Sequence, residues 1–259
     1  MADKSTGRIK AFLIHFSISL VIVSSVLLLV FLLWYPAPYH KVAGAWGVVK
    51  ILILVDLIIG PVLTLIIFKR GKPGLKFDLS MIASVQIIAL TYGVSVVYQE
   101  RPLYIVFTVD RFEVVGASEI DMQKIRYNEL KTNRPTGPAL AFAKFPEDRQ
   151  ERNKLMFDVI LQGLPDLDRR PEHYHPYSGN EAAVLERSLD VRKLVEAEDN
   201  DGSAVDRFLA THGGQVDDYA YLPLVGRRGK MVLAVDRDSA RPVAGIDINP
   251  WPHSANRSS

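Results

Sequence analysis

Between Lys10 and Pro36 the chain runs for 25 residues without an acid or a strong base. A helix needs about 20 apolar residues to cross the ~30 Å hydrocarbon core of a bilayer, so 11–35 reads as a transmembrane helix with length to spare. A secretory signal is the competing reading, because Lys4, Arg8 and Lys10 precede the run. The run is too long for that, and it ends in Trp34-Tyr35-Pro36 where a cleavage site would need small residues. Two more spans are predicted. One covers 46–68, with Lys50 near an end where its stem can snorkel; the other covers 77–98, with the single amide Gln86. Trp34, Tyr35, Tyr39, Trp46, Tyr92 and Tyr98 are expected to gather at one set of ends as an aromatic belt.

Charge then separates the chain into two parts. Residues 1–99 hold nine Lys and Arg against three acids, net +6, while residues 100–259 hold 22 against 26, net −4. A single soluble globule is excluded, and so is nucleic-acid binding of the usual kind, since no basic surface is concentrated on the polar part. Seven basic residues flank the N-terminus and the connector between the second and third spans; the loop after the first span has only Lys41, with Lys50 at its edge. The positive-inside rule therefore puts the N-terminus in the cytoplasm and residues 100–259 on the far side. The chain has no cysteine, which rules out thiol catalysis, Cys-type zinc sites, iron–sulfur clusters and disulfides.

The fold class expected is a membrane protein, three transmembrane α-helices (1–99) followed by an α+β extracytoplasmic domain (100–259). Within that domain 103–110 and 112–115 are β-rich. Ser118 and Asp121 start a short helix with capping-box-like spacing, and 138–145 alternates weakly. Residues 147–161 read as a helix, followed by a Pro-rich break. Asn180 can cap a helix running to about Glu198, and 203–211 is another helix, stopped by Gly213-Gly214. Strands at 219–225, 230–236 and 243–248 close the domain, and a loose tail follows Trp251.

Little chemistry is visible. His173 and His175 form the only close His pair, in a Pro-rich loop with no third ligand nearby in sequence, and a solvated loop is the simpler reading. Residues 198–202, EDNDG, suggest a calcium loop. Placing Gly202 at the invariant glycine puts Ala197 at the first ligand and Phe208 at the twelfth, so the pattern fails. No nucleophile elbow, Walker A loop or dinucleotide fingerprint is present. No enzyme and no cofactor are expected.

The most informative polar residue is Asp56, because a carboxyl within a span costs about 2.5–3.5 kcal/mol on insertion scales and needs a partner. Gly60 and Thr64 follow at helical steps on its face, allowing close helix approach, and Pro61 predicts a kink beside it. At comparable depth stand Ser24 or Ser25 on the first helix and Gln86 or Tyr92 on the third. Asp56, Gly60, Pro61, Thr64 and Gln86 are thus candidates for helix contact or partner recognition. A structural hydrogen bond within the bundle is the simplest role, recognition of a polar group on a partner's helix the second, and a proton relay the third.

These residues resemble a known family. The opening IKAFLIHFSISL, the WYP closing the first span, VDLIIGPVLTLIIF, the connector FKRGKPGLKFDLS, and QERPLYIVFTVDRFEVV after the third span match the type IV pilin accessory proteins of the TfpX/TfpZ group. YAYLPLVGRRGKMVLAVD and the closing INPW match as well, while 117–215 matches only in general character. The resemblance implies a non-enzymatic, chaperone-like accessory factor in the inner membrane, with a periplasmic domain. It would assemble pili from a cognate major pilin, together with other pilus-assembly components, and affect surface piliation and twitching motility. The runner-up is a membrane-anchored periplasmic sensor or ligand-binding protein.

Overall fold

The computed structural model describes residues 2–131, 136–197 and 199–252. Three helical stretches are long and apolar enough to cross a membrane: Thr6–Trp34, Trp46–Ile67 and Leu75–Gln99. The first is α1 (Ala2–Leu28) running on into a π-helical turn, Leu29–Trp34. The second is α3 (Trp46–Ile53), a π-helical segment Leu54–Ile59, and α4 (Gly60–Ile67); the third is the unbroken α5 (Leu75–Gln99). A short α2 (Tyr39–Ala43) lies between the first two. The helices close on small residues. A Cβ at Gly93 would overlap the Leu52 side chain, so α5 and α3 approach closely there.

The rest of the chain builds a mixed seven-stranded sheet, in the order β4-β3-β1-β2-β5-β6-β7. β1 (Pro102–Thr108) and β2 (Arg111–Gly116) form an antiparallel hairpin; β3 (Ala139–Ala143) runs parallel to β1, and β4 (Tyr174–Pro176) closes that edge. β5 (Tyr219–Gly226), β6 (Gly229–Asp236) and β7 (Pro242–Ile246) form an antiparallel meander joined to β2 by a parallel pairing. Strand alternation sorts the core onto two faces. On one, Ile105, Phe107, Phe112, Leu222, Leu224 and Leu233 pack with Val184 from α7 (Glu181–Leu185). On the other, Tyr104, Val106 and Val115 meet Leu155 of α6 (Arg149–Gln162). Farther along that face, Tyr221, Val232 and Ala234 meet α8 (Val191–Val195) and α9 (Ala204–His212).

By contacts the chain divides into a helical unit, Met1–Trp34 with Ala45–Glu100, and a sheet unit, Tyr35–Gly44 with Arg101–Ser259. The division departs from a cut at residue 100: the linker between the first two long helices belongs with the sheet. Val42 is part of the sheet core, with Tyr39 and Ala43 packed beside it, and its carbonyl accepts a hydrogen bond from Arg228 N at 2.8 Å. Gly226 and Gly245 leave the room, since a Cβ at either would crowd Val42 or Pro38. Tyr39 packs on the sheet core, and burial pushes its phenol up to about 12. Trp34 does stack edge-on against Tyr98 at 5.0 Å, and Phe31 lies 4.8 Å from Trp46.

Several local expectations change. The helix after Ser118 is instead two 3₁₀ turns, Ala117–Glu119 and Met122–Lys124, because the Glu119 carboxylate turns back to accept from Gly116 N at 2.6 Å. The helix from Asn180 breaks into α7 and α8. Between them Leu189 N donates to Tyr221 O and the Ser188 hydroxyl accepts from Tyr221 N, so the Leu189 amide pairs with the sheet and not with its own preceding turn. Asn180 caps nothing with its side chain, which donates to Pro176 O. The Pro-rich break contains β4. His175 is thus a strand residue opposite Phe142, hydrogen-bonded through Nδ1 to the Tyr127 hydroxyl at 2.9 Å, and not part of a solvated loop. Glu198 and the tail at 253–259 lie outside the described residues.

Candidate functional site

The polar residues of the helical unit converge. Asp56, Thr64 and Gln86 are buried, as is Ser19 on α1. The π-helical segment sets the geometry. Gly60 N donates to Val55 O, five residues back, and so leaves its ordinary α-helical partner, the carbonyl of Asp56. The next amide along the chain belongs to Pro61, which has no N–H to offer. A buried carbonyl with no donor is costly, and Gln86 supplies the missing one: its Nε2 donates to Asp56 O at 3.2 Å. Gly60 makes this possible, because a Cβ there would overlap the Gln86 amide. The expected disturbance beside Asp56 is thus a change of helical register ahead of Pro61, completed by a side chain from α5.

Asp56, Gly60, Pro61 and Gln86 form one unit, and Thr64 stands one turn beyond it. Thr64 Oγ1 shares a 2.6 Å hydrogen bond with His15 Nδ1 on α1. His15 was not among the expected partners. Ser24 and Ser25 are exposed, Ser25 donating to Val21 O of its own helix, and Tyr92 is exposed as well. One signal for His15 was available. It stands five residues inside Lys10, and Thr64 five residues before Lys69, so the two share a depth from the basic flanks.

Two acceptors in this cluster receive no hydrogen bond among the described residues: Asp56 Oδ2 and Gln86 Oε1, both fully covered. Gln86 meets the need of the Asp56 main chain, and one oxygen of the carboxylate, Oδ2, is left without a donor. Asp78, at the start of α5, is held by Lys72 at 2.6 Å.

The sheet unit has its own buried ionic group. Glu113 sits on the strand face shared by Val115, next to Asp168 and Arg169. Burial and the Asp168 carboxylate push it up to about 7. Arg169 pairs with Asp168 and, at 3.1 Å, with Glu119. Among the described residues no three His, Asp or Glu side chains are grouped to hold a metal ion. A hollow of 410 Å³ lies beside Tyr177, between Glu129 and Arg241.

A family model described as fimbrial assembly protein FimB matches residues 3–44, the first long helix and the linker that packs on the sheet. A Dichelobacter nodosus protein named fimbrial assembly protein, serogroup I, is 34% identical over 244 residues, 92% of this chain and 94% of the relative. The chain belongs to the fimbrial assembly protein family. A serogroup E1 member from the same organism is 32% identical over 92% of this chain and 94% of its own length. A shorter member, of serogroups C1 and C2, is 32% identical over 115 residues, 43% of this chain. The family is the one resembled by the sequence motifs, a type IV pilin accessory group. No solved structure matches.

Proposed function

We propose that this protein is a non-catalytic, chaperone-like factor for type IV pilus assembly, anchored in the inner membrane by its three long helices with the sheet unit in the periplasm. The observation that carries this is the relationship over 92% of the chain to a protein named for fimbrial assembly. The architecture suits it. A major pilin held in the bilayer by an apolar helix, with a head outside, would present two parts, and this chain has a helical unit and a sheet unit to meet them. In this reading Asp56 Oδ2 and Gln86 Oε1 accept from a donor on the client's membrane helix once α5 gives way, and the cost of burying two unmatched acceptors is repaid on binding.

Deleting the gene should reduce surface pili and twitching while pilin transcription is unchanged, with the loss depending on which major pilin the cell makes. A photo-crosslinker at Leu63 should capture that pilin. Unchanged piliation with every pilin tested rejects the assembly role. For topology, a phosphatase fused after Glu100 should be active and one in the 70–76 connector silent; the reverse pattern rejects a periplasmic sheet unit. The hollow beside Tyr177 supports the sensor reading, which a ligand-stabilisation screen of the full chain tests.

A further inference from the structure

α6 buries one narrow side and leaves the other open. Leu155 packs into the core with Val159 beside it, and both acids of the helix, Glu151 and Asp158, lie toward that side, at four and three residues from Leu155. Asp158 faces Arg170 at 3.7 Å. The opposite face has a graded composition. Its N-terminal half presents Arg149, Asn153 and Lys154, all exposed, and neither cation forms an ion pair among the described residues. Its C-terminal half presents Met156, Phe157, Ile160 and Leu161, continued by Leu164; Ile160 is 73% and Leu161 66% exposed. Adjacent large side chains this exposed are costly in water, and a contiguous patch of them marks a contact surface.

We propose that this face of α6 is an interfacial membrane anchor. Its C-terminal apolar end dips into the headgroup–acyl boundary of the bilayer, and Arg149 and Lys154 lie on anionic headgroups. The distribution of side chains favours lipid over a protein groove. A groove-binding helix has apolar anchors along its whole length, whereas here they are confined to one end, behind the exposed cations Arg149 and Lys154. The proposal rests on the membrane reading of the three long helices, which tethers the sheet unit to a bilayer covalently and keeps lipid within reach at high effective concentration.

The chain has no cysteine, so single substitutions can be labelled cleanly. Full-length protein carrying Ile160→Cys, with an environment-sensitive fluorophore attached, would be placed in nanodiscs containing phosphatidylglycerol. Nitroxide-chain lipid and aqueous iodide serve as the two quenchers. The expected result is a blue-shifted emission quenched by the lipid nitroxide and protected from iodide, with loss of that protection in Arg149→Glu/Lys154→Glu. A label at exposed Asp238→Cys should respond only to iodide. Iodide quenching at position 160 overturns the proposal. So does protection from both quenchers, which would mean that a second copy of the chain covers the face. A label at Ile58→Cys separates the two failures: if it escapes the lipid quencher, the membrane reading itself has failed, and the anchor with it.

Discussion

The side-chain amide of Gln86 donates to the main-chain carbonyl of Asp56 across 30 positions of sequence, in space left by the absent side chain of Gly60. The bond belongs to a set of residues that only make sense together. Pro61 removes one donor, the π-helical segment diverts another, and Gln86 restores the balance from a different helix.

A double-mutant cycle tests that unit. Gln86→Ala leaves the carbonyl unmatched and should cost about 1 kcal/mol. Gly60→Ala should be destabilising with Gln86 present and much less so with Gln86→Ala. Unfolding in mixed micelles measures all four corners, and strictly additive costs would show that the two sites do not act on each other.

Asp56→Asn separates the internal role from recognition. The main-chain carbonyl that Gln86 caps is untouched, so bundle stability should hold. Surface piliation should fall while the protein stays at its normal level in the membrane. Normal piliation would leave the carboxylate with no part in binding a client.

The linker on the sheet makes its own demand. A Cβ at Gly226 would stand 2.6 Å from Val42 O, so Gly226→Ala should lift the linker and expose Tyr35–Gly44 to protease. Val42→Ala removes two methyl groups from a fully packed site and should cost about 2 kcal/mol in urea unfolding. Cleavage at the wild-type rate in Gly226→Ala would show that the linker does not need that contact.

Glu113 predicts the sign of a pH effect. Its folded-state value, about 7, lies above the ordinary 4.5, so the folded state holds a proton that the unfolded state has released. The sheet unit should therefore lose stability as pH rises from about 4.5 to 7, by at most about 3 kcal/mol. Burial raises Asp168 too, adding the same sign. His173 and His175, lowered by burial, act oppositely below about 6.5. Glu113→Gln should flatten the decline, read as urea midpoints by pulse proteolysis from pH 5 to 8. An unchanged slope would assign it elsewhere.

The three apolar runs, the closing strands at 219–248 and the unusual carboxyl at Asp56 were legible in the sequence. Hydropathy, strand periodicity and the cost of an intramembrane charge are local properties, visible within one window of residues. Depth narrowed the third-helix partner of Asp56 to Gln86 or Tyr92, since helices in a bundle must satisfy polar groups at the same level, and the fold chose Gln86. What tertiary structure decided were the pairings between distant segments. Tyr35–Gly44 reads as a simple loop, yet Val42 completes a core formed by strands that follow it by some 60 to 190 positions. Residues 180–198 have a helical pattern, but Tyr221 offers the Leu189 amide and the Ser188 hydroxyl partners that another helical turn does not. β4 is three residues long and exists only because β3 lies beside it. No window of sequence contains both members of such pairs, so the free energy that decides them appears only when the chain has folded back on itself.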